Sequence, residues 1–99
     1  MKKDYNLILQ KIAKEDDRLS FRWLMEKFSG KLYDFSFFYL KDKAYAEEVV
    51  SDVFFKLWTN RKKLGHVKNL ESYLYTSVKN QSLNYIEKYQ KVRKLDLHC

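Results

Sequence analysis

The stretch Ala46–Trp58 reads AEEVVSDVFFKLW, and its periodicity decides the fold. Set on a helix at about 100° per residue, it divides into two faces. Ala46, Val49, Val50, Val53, Phe54, Leu57 and Trp58 fall on one broad arc that Leu64 continues. Opposite them lie Glu48, Ser51, Asp52, Phe55 and Thr59. The first face is a core face. The second sets an aromatic ring among carboxylates and small polar groups, the chemistry of a surface that meets a partner. The wheel alone leaves two places for Phe55, in that contact or packed within the fold.

Outward from this stretch the chain keeps the same period. Towards the N-terminus, Phe21, Leu24, Met25, Phe28, Leu32, Phe35 and Tyr39 recur every three or four residues. They predict a helix over 17–40, with Gly30 marking a kink or a close helix contact. LYDFSFFYL (Leu32–Leu40) is apolar almost all round and reads as the buried centre of a bundle. Before it, Asp4 caps a first helix over 4–14 with Tyr5, Ile8, Leu9 and Ile12 on one stripe. Glu15-Asp16-Asp17 breaks that helix and suits the positive end of the next. The opening stretch extends to a helix over 42–64, with Gly65 as its left-handed cap and Arg61, Lys62 and Lys63 complementing its negative end. A short linker, His66-Val67-Lys68, leads to Asn69 as N-cap of a last helix over 69–94. Leu70, Leu74, Val78, Gln81, Tyr85, Tyr89 and Val92 form its inward stripe.

Composition agrees with this all-α reading. Ninety-nine residues with no Pro and two Gly offer few turns, so a compact bundle of about four helices in one domain is expected. A chain of this size buries roughly 60–65% of its unfolded surface. No apolar run is long enough to span a bilayer, and Met1-Lys2-Lys3 leads into a polar helix rather than a secretory signal. With a single cysteine, Cys99, no intramolecular disulfide is available, and a reducing, cytoplasmic setting is the simplest inference.

The net charge of +7 is unevenly spread. Residues 1–58 hold 11 Lys or Arg against 10 Asp or Glu, whereas residues 59–99 hold 9 against 3. The positive field therefore belongs to the C-terminal part, where an anionic partner such as nucleic acid is drawn. There the last helix carries a second stripe, Tyr73, Ser77, Asn80, Asn84, Lys88 and Lys91. Aromatic rings stack on unpaired bases, amides read base edges and lysines attract phosphates. Such a flank is ordinarily just solvated, and only the charge asymmetry tips it towards nucleic-acid binding. Lys62, Lys63 and Lys68, with Arg61, add to the same field.

Enzyme readings fail. His66 and His98 stand near no nucleophile motif, and Glu47, Glu48 and Asp52 lack the histidines of a metal site. Gly30 and Gly65 do not make a phosphate loop.

Four stretches, in order, carry a family resemblance: SFRWLMEKF (Ser20–Phe28), KLYDFSFFYLKD (Lys31–Asp42), AEEVVSDVFFKLW (Ala46–Trp58) and SYLYTSVKNQSLNYI (Ser72–Ile86). They resemble the second conserved region of bacterial sigma factors of the extracytoplasmic-function class, the last two most specifically. The resemblance implies a non-enzymatic initiation module with no cofactor, metal or small-molecule substrate and no membrane insertion. It implies that Glu48, Ser51 and Asp52 meet the clamp helices of the RNA polymerase β′ subunit, Asp52 facing a β′ arginine. The family commonly has Gln where this chain has Ser51. It further implies that Asn80, with Asn84, Lys88 and Tyr73 nearby, recognises the non-template strand of the minus-ten promoter element. The loop Leu64–Asn69 would help form a pocket for a flipped-out base. An anti-sigma factor is a second implied partner. Relatives carry a further helix-turn-helix domain that the five residues after Lys94 cannot supply, so an excised domain or fragment is expected. The rival readings are a general helical DNA-binding domain and a protein-interaction adaptor, neither acting with polymerase.

Overall fold

The computed structural model describes residues 4–97, with side-chain surroundings for residues 4–89. The elements are α1 (Asn6–Glu15), α2 (Arg18–Leu40), α3 (Lys43–Thr59), a 3-10 helix (Arg61–His66) and α4 (Leu70–Leu97). There is no strand among the described residues.

The helix ends follow local chemistry. Asp17 caps α2 by accepting from the Leu19 N–H at 3.2 Å and the Ser20 hydroxyl at 2.8 Å. That hydroxyl, foremost among its partners, holds the Asp17 carboxyl below its ordinary range. Asp42 accepts from the Tyr45 N–H at 2.9 Å to start α3, and Asn69 from the Ser72 N–H at 3.0 Å to start α4. Asp4 is not the cap expected of it: α1 starts at Asn6 with Tyr5 at the cap position and no side-chain cap bond, and Asp4, one residue earlier, accepts from the Asn6 N–H at 2.8 Å.

The core is continuous through all five elements. Leu9 and Ile12 of α1, Phe21, Leu24, Phe28 and Leu32 of α2, and Val49, Val50, Val53, Phe54 and Leu57 of α3 are buried together. Leu64, Leu70, Leu74 and Val78 complete it. The arc read on Ala46–Trp58 is thus the core face, with Trp58 only partly covered. One polar pair interrupts the core: Ser36 of α2 and Ser82 of α4 are fully buried and share a 2.9 Å hydrogen bond.

Five further expectations are corrected. The third helix stops at Thr59: the Asn60 N–H still donates to the Lys56 carbonyl at 2.9 Å, and beyond it the bonding tightens by one residue, the Lys63 N–H donating to the Asn60 carbonyl at 3.0 Å. The 3-10 helix comes next, and Gly65 lies within it without a positive φ. The left-handed caps are instead Asp16 (φ 53°) and Lys41 (φ 56°). Gly65 is small for another reason: a Cβ there would lie 3.3 Å from the Ala13 Cβ of α1.

Gly30 neither interrupts α2 nor touches a neighbour, since a Cβ there would meet nothing within 4 Å. Leu32–Leu40 is not the buried centre: only Leu32 and Ser36 are fully covered, and Phe38 is 66% exposed. A helix apolar on all sides needs neighbours on all sides, and here α1 packs mainly against the 3-10 helix. On α4, the inward stripe runs through Ser82, while Tyr89 is 50% exposed. Val92 falls outside the residues whose side chains are described.

Candidate nucleic-acid and partner interfaces

On the outer face of α3, Glu48, Ser51 and Phe55 are exposed, Phe55 at 72%. Phe55 therefore does not pack within the fold. Asp52 is different. It is half-buried, and its carboxylate accepts a 3.2 Å hydrogen bond from the Tyr85 hydroxyl of α4. Burial, then the neighbouring Glu48 and Asp52 carboxylates, push the Tyr85 phenol well above its ordinary 10.0. One turn along, the Lys56 ammonium donates to the Gln81 side-chain oxygen at 2.9 Å. Two polar rivets thus fasten the outer face of α3 to α4. Tyr85, read as a core residue, is one of them.

Beside this face, a shallow groove of about 460 Å³ runs between α2 and α3, bordered by Tyr33, Asp34, Glu47 and Ser51. Gly30 lines it, and its missing side chain keeps the groove open.

The flank of α4 is graded. Tyr73 is half-buried against the core, and Ser77 is half-buried with its hydroxyl donating to the Tyr73 carbonyl at 2.8 Å. Asn80, Asn84 and Lys88 stand exposed. Lys91 lies outside the residues whose side chains are described. From Tyr73 to Lys88 the flank spans about 22 Å at 1.5 Å per residue.

Lys62, Lys63 and Lys68 are exposed. Arg61 does not join them, because its guanidinium pairs with Asp16 at 2.7 Å, donates to the Trp58 carbonyl at 2.9 Å and stacks 4.4 Å over the Trp58 ring.

The segment before α4 faces α1 across a cleft of about 1000 Å³. Tyr5, Asn6 and Leu9 line one side, and His66, Lys68 and Asn69 the other. The Tyr5 hydroxyl is buried with no hydrogen-bond partner among the described residues. Sequence reading found the loop but not its opposite wall, because α1 approaches from 55 residues away. The Gln10 amide donates to the Gly65 carbonyl at 2.8 Å. The smallness of Gly65 was the available signal.

No group of side chains able to hold a metal ion occurs among the described residues, and no described helix is long and apolar enough to cross a membrane.

The family model for Sigma-70 region 2 matches residues 24–92, more than half of the chain. The chain belongs to the Sigma-70 region 2 family. Comparison with curated proteins and with solved structures finds no match. As a Sigma-70 region 2 domain, the chain is a transcription initiation factor domain, of a class that binds RNA polymerase and acts in promoter opening rather than in catalysis. Both the α3 face and the α4 flank lie inside the matched residues, whereas α1 lies before them.

Proposed function

We propose that this domain is the polymerase-docking and minus-ten-recognition module of an extracytoplasmic-function sigma factor. Glu48, Ser51, Asp52 and Phe55 meet the β′ clamp helices. Asn80, Asn84 and Lys88 engage the non-template strand of the minus-ten element, with Tyr73 and Ser77 bordering them and Lys91 extending the same register. Lys62, Lys63 and Lys68 supply phosphate attraction.

The observation that carries this reading is Phe55, 72% exposed on α3 within the family-matched residues. A large ring bare to water beside the Glu48 carboxylate suits a partner that offers both a cation and an apolar surface. Because Tyr85 and Gln81 bind Asp52 and Lys56, the helix that carries the DNA flank is fastened to the helix that carries the docking face. The same α3 face is the surface an anti-sigma factor would cover.

The test is binding to an isolated β′ clamp-helix fragment by calorimetry. Phe55→Ser and Glu48→Arg, both on exposed positions, are expected to weaken binding at least about tenfold, the scale of a central interface residue. Wild-type-like binding by both variants, with their helical circular dichroism retained, would refute polymerase docking through α3. The DNA half is tested by fluorescence anisotropy with short single-stranded promoter oligonucleotides at low salt. Asn80→Ala should reduce the preference for a minus-ten sequence over its scramble. Equal affinity for both by the wild type removes sequence recognition from this domain.

A further inference from the structure

The cleft between α1 and the segment before α4 has one side outside the family-matched residues, and one side chain organises it. Gln10 carries two amide hydrogens. Its nitrogen stands 2.8 Å from the Gly65 carbonyl and 3.3 Å from the Asn6 side-chain oxygen. A carbonyl only accepts, so the amide nitrogen must face Gly65. The second hydrogen then engages Asn6. The Gln10 oxygen lies 3.5 Å from where a Gly65 Cβ would stand, an ordinary contact distance, so Gln10 and the bare Gly65 backbone meet closely while the tight neighbour of position 65 is the Ala13 Cβ at 3.3 Å. Asp4 accepts from the Asn6 backbone N–H at 2.8 Å and fixes the main chain from which the Asn6 side chain projects. With its oxygen held by Gln10, the exposed Asn6 amide has its N–H donors left for a ligand. Tyr5 and Leu9 supply apolar wall beside it, and Lys68 a cation on the facing side.

We infer that α1 forms the second wall of the base-binding pocket, with Gln10 as a positioning residue that holds the loop at Gly65 and aims the Asn6 amide at an acceptor atom on an unpaired DNA base. This inference rests on the proposed reading of the chain as a minus-ten recognition module. It adds a specificity contact from α1, which neither the α4 stripe nor the family match contains. An unpaired base suits the cleft because it brings a flat apolar face for Tyr5 and Leu9, edge acceptors for Asn6 and a phosphate for Lys68.

The experiment selects the 99-residue chain against a pool of short single-stranded DNA randomised at every position, then repeats the selection with Gln10→Glu and with Asn6→Ala. Gln10→Glu keeps the shape but removes both donors. Asn6→Ala alters an exposed residue outside the core, so it decides the matter if Gln10→Glu fails to fold. Both variants are expected to lose about tenfold of the base preference at one position of the enriched sequence, the scale of a single lost base contact. Preferences elsewhere and affinity for the β′ fragment should stay at wild-type values, and for the uncharged Asn6→Ala so should the salt dependence of binding. If the wild type enriches a sequence and both variants keep every preference, α1 has no part in reading the base and the inference is overturned while the proposed function stands. If the variants lose all preferences together with β′-fragment binding, Gln10 and Asn6 merely hold the fold and the inference is again overturned. A wild type that enriches nothing defeats base recognition itself, and the inference with it.

Discussion

Tyr85 is the residue at which the docking face and the DNA-facing helix meet, and its proton makes that junction measurable. The hydroxyl donates to Asp52 at 3.2 Å, and burial with two nearby carboxylates raises its pKa above the ordinary 10.0. In the unfolded chain the phenol ionises near its ordinary value. In the folded chain it holds its proton to higher pH. The resulting stability is fully present below pH 10 and is lost as pH climbs from there towards the folded pKa. Urea denaturation stepped through alkaline pH should therefore show a steeper fall in stability for the wild type than for Tyr85→Phe. Lysine titration is common to both proteins and cancels in the difference. Parallel curves would mean that neither burial nor the two carboxylates raise the Tyr85 pKa in the folded chain. The Ser36–Ser82 pair presents the opposite case, a neutral hydrogen bond with no water to replace it. Ser82→Ala strands one buried hydroxyl and should cost about 1–3 kcal/mol, whereas Ser36→Ala with Ser82→Ala should cost clearly less than the two single changes together. Chemical denaturation of the four proteins of this cycle checks the coupling, and strict additivity would deny it.

Among the elements, the two glycines separate propensity from packing. Gly30 sits in the middle of a 23-residue helix, and a methyl group placed there would have nothing within 4 Å, so Gly30→Ala should raise stability by about 1 kcal/mol. Gly65→Ala brings a methyl to 3.3 Å from Ala13, a short residue that cannot swing aside, so α1 itself must shift. Thermal melts should rise for the first change and fall for the second. A matched rise would mean that α1 yields freely. The same contrast marks how far local sequence signals reach. Period located α1, and period with caps located α2, the core arc of α3 and the Asn69 start of α4, because those signals are local. The same wheel placed Glu48 and Ser51 away from the core but left two places for Phe55, and in the structure all three are exposed. The 3-10 helix escaped because a change from four-residue to three-residue bonding after Asn60 leaves little mark on an apolar period, and α1, distant in sequence, packs against the tightened turns of Arg61–His66. Leu32–Leu40 misled because periodicity reports which residues are apolar, not how many sides of a helix have neighbours. Tyr85–Asp52 and Gln10–Gly65 join residues 33 and 55 positions apart, and no local pattern encodes either.

For the molecule as a whole, the question is how its positive charge divides between folding and DNA. Residues 59–99 carry nine of the basic side chains against three acids, yet Arg61 is committed to Asp16 and to the ring of Trp58. Lys62, Lys63 and Lys68 remain exposed around the segment before α4. If they neutralise phosphates of a single strand, each contributes about −0.7 to the slope of log affinity against log salt. Replacing all three with Gln should then flatten that slope by about 2 while leaving base preference intact. Asn80→Ala should do the reverse, weakening preference with the slope unchanged, because an amide at a base edge releases no counterion. Arg61→Gln should lower thermal stability and leave the slope alone, since its charge is already held within the protein. Anisotropy titrations across a salt series read slope and preference from the same samples. A slope indifferent to the three lysines would place the phosphate contacts elsewhere, with Lys79 and Lys88 of α4 the next exposed cations to substitute.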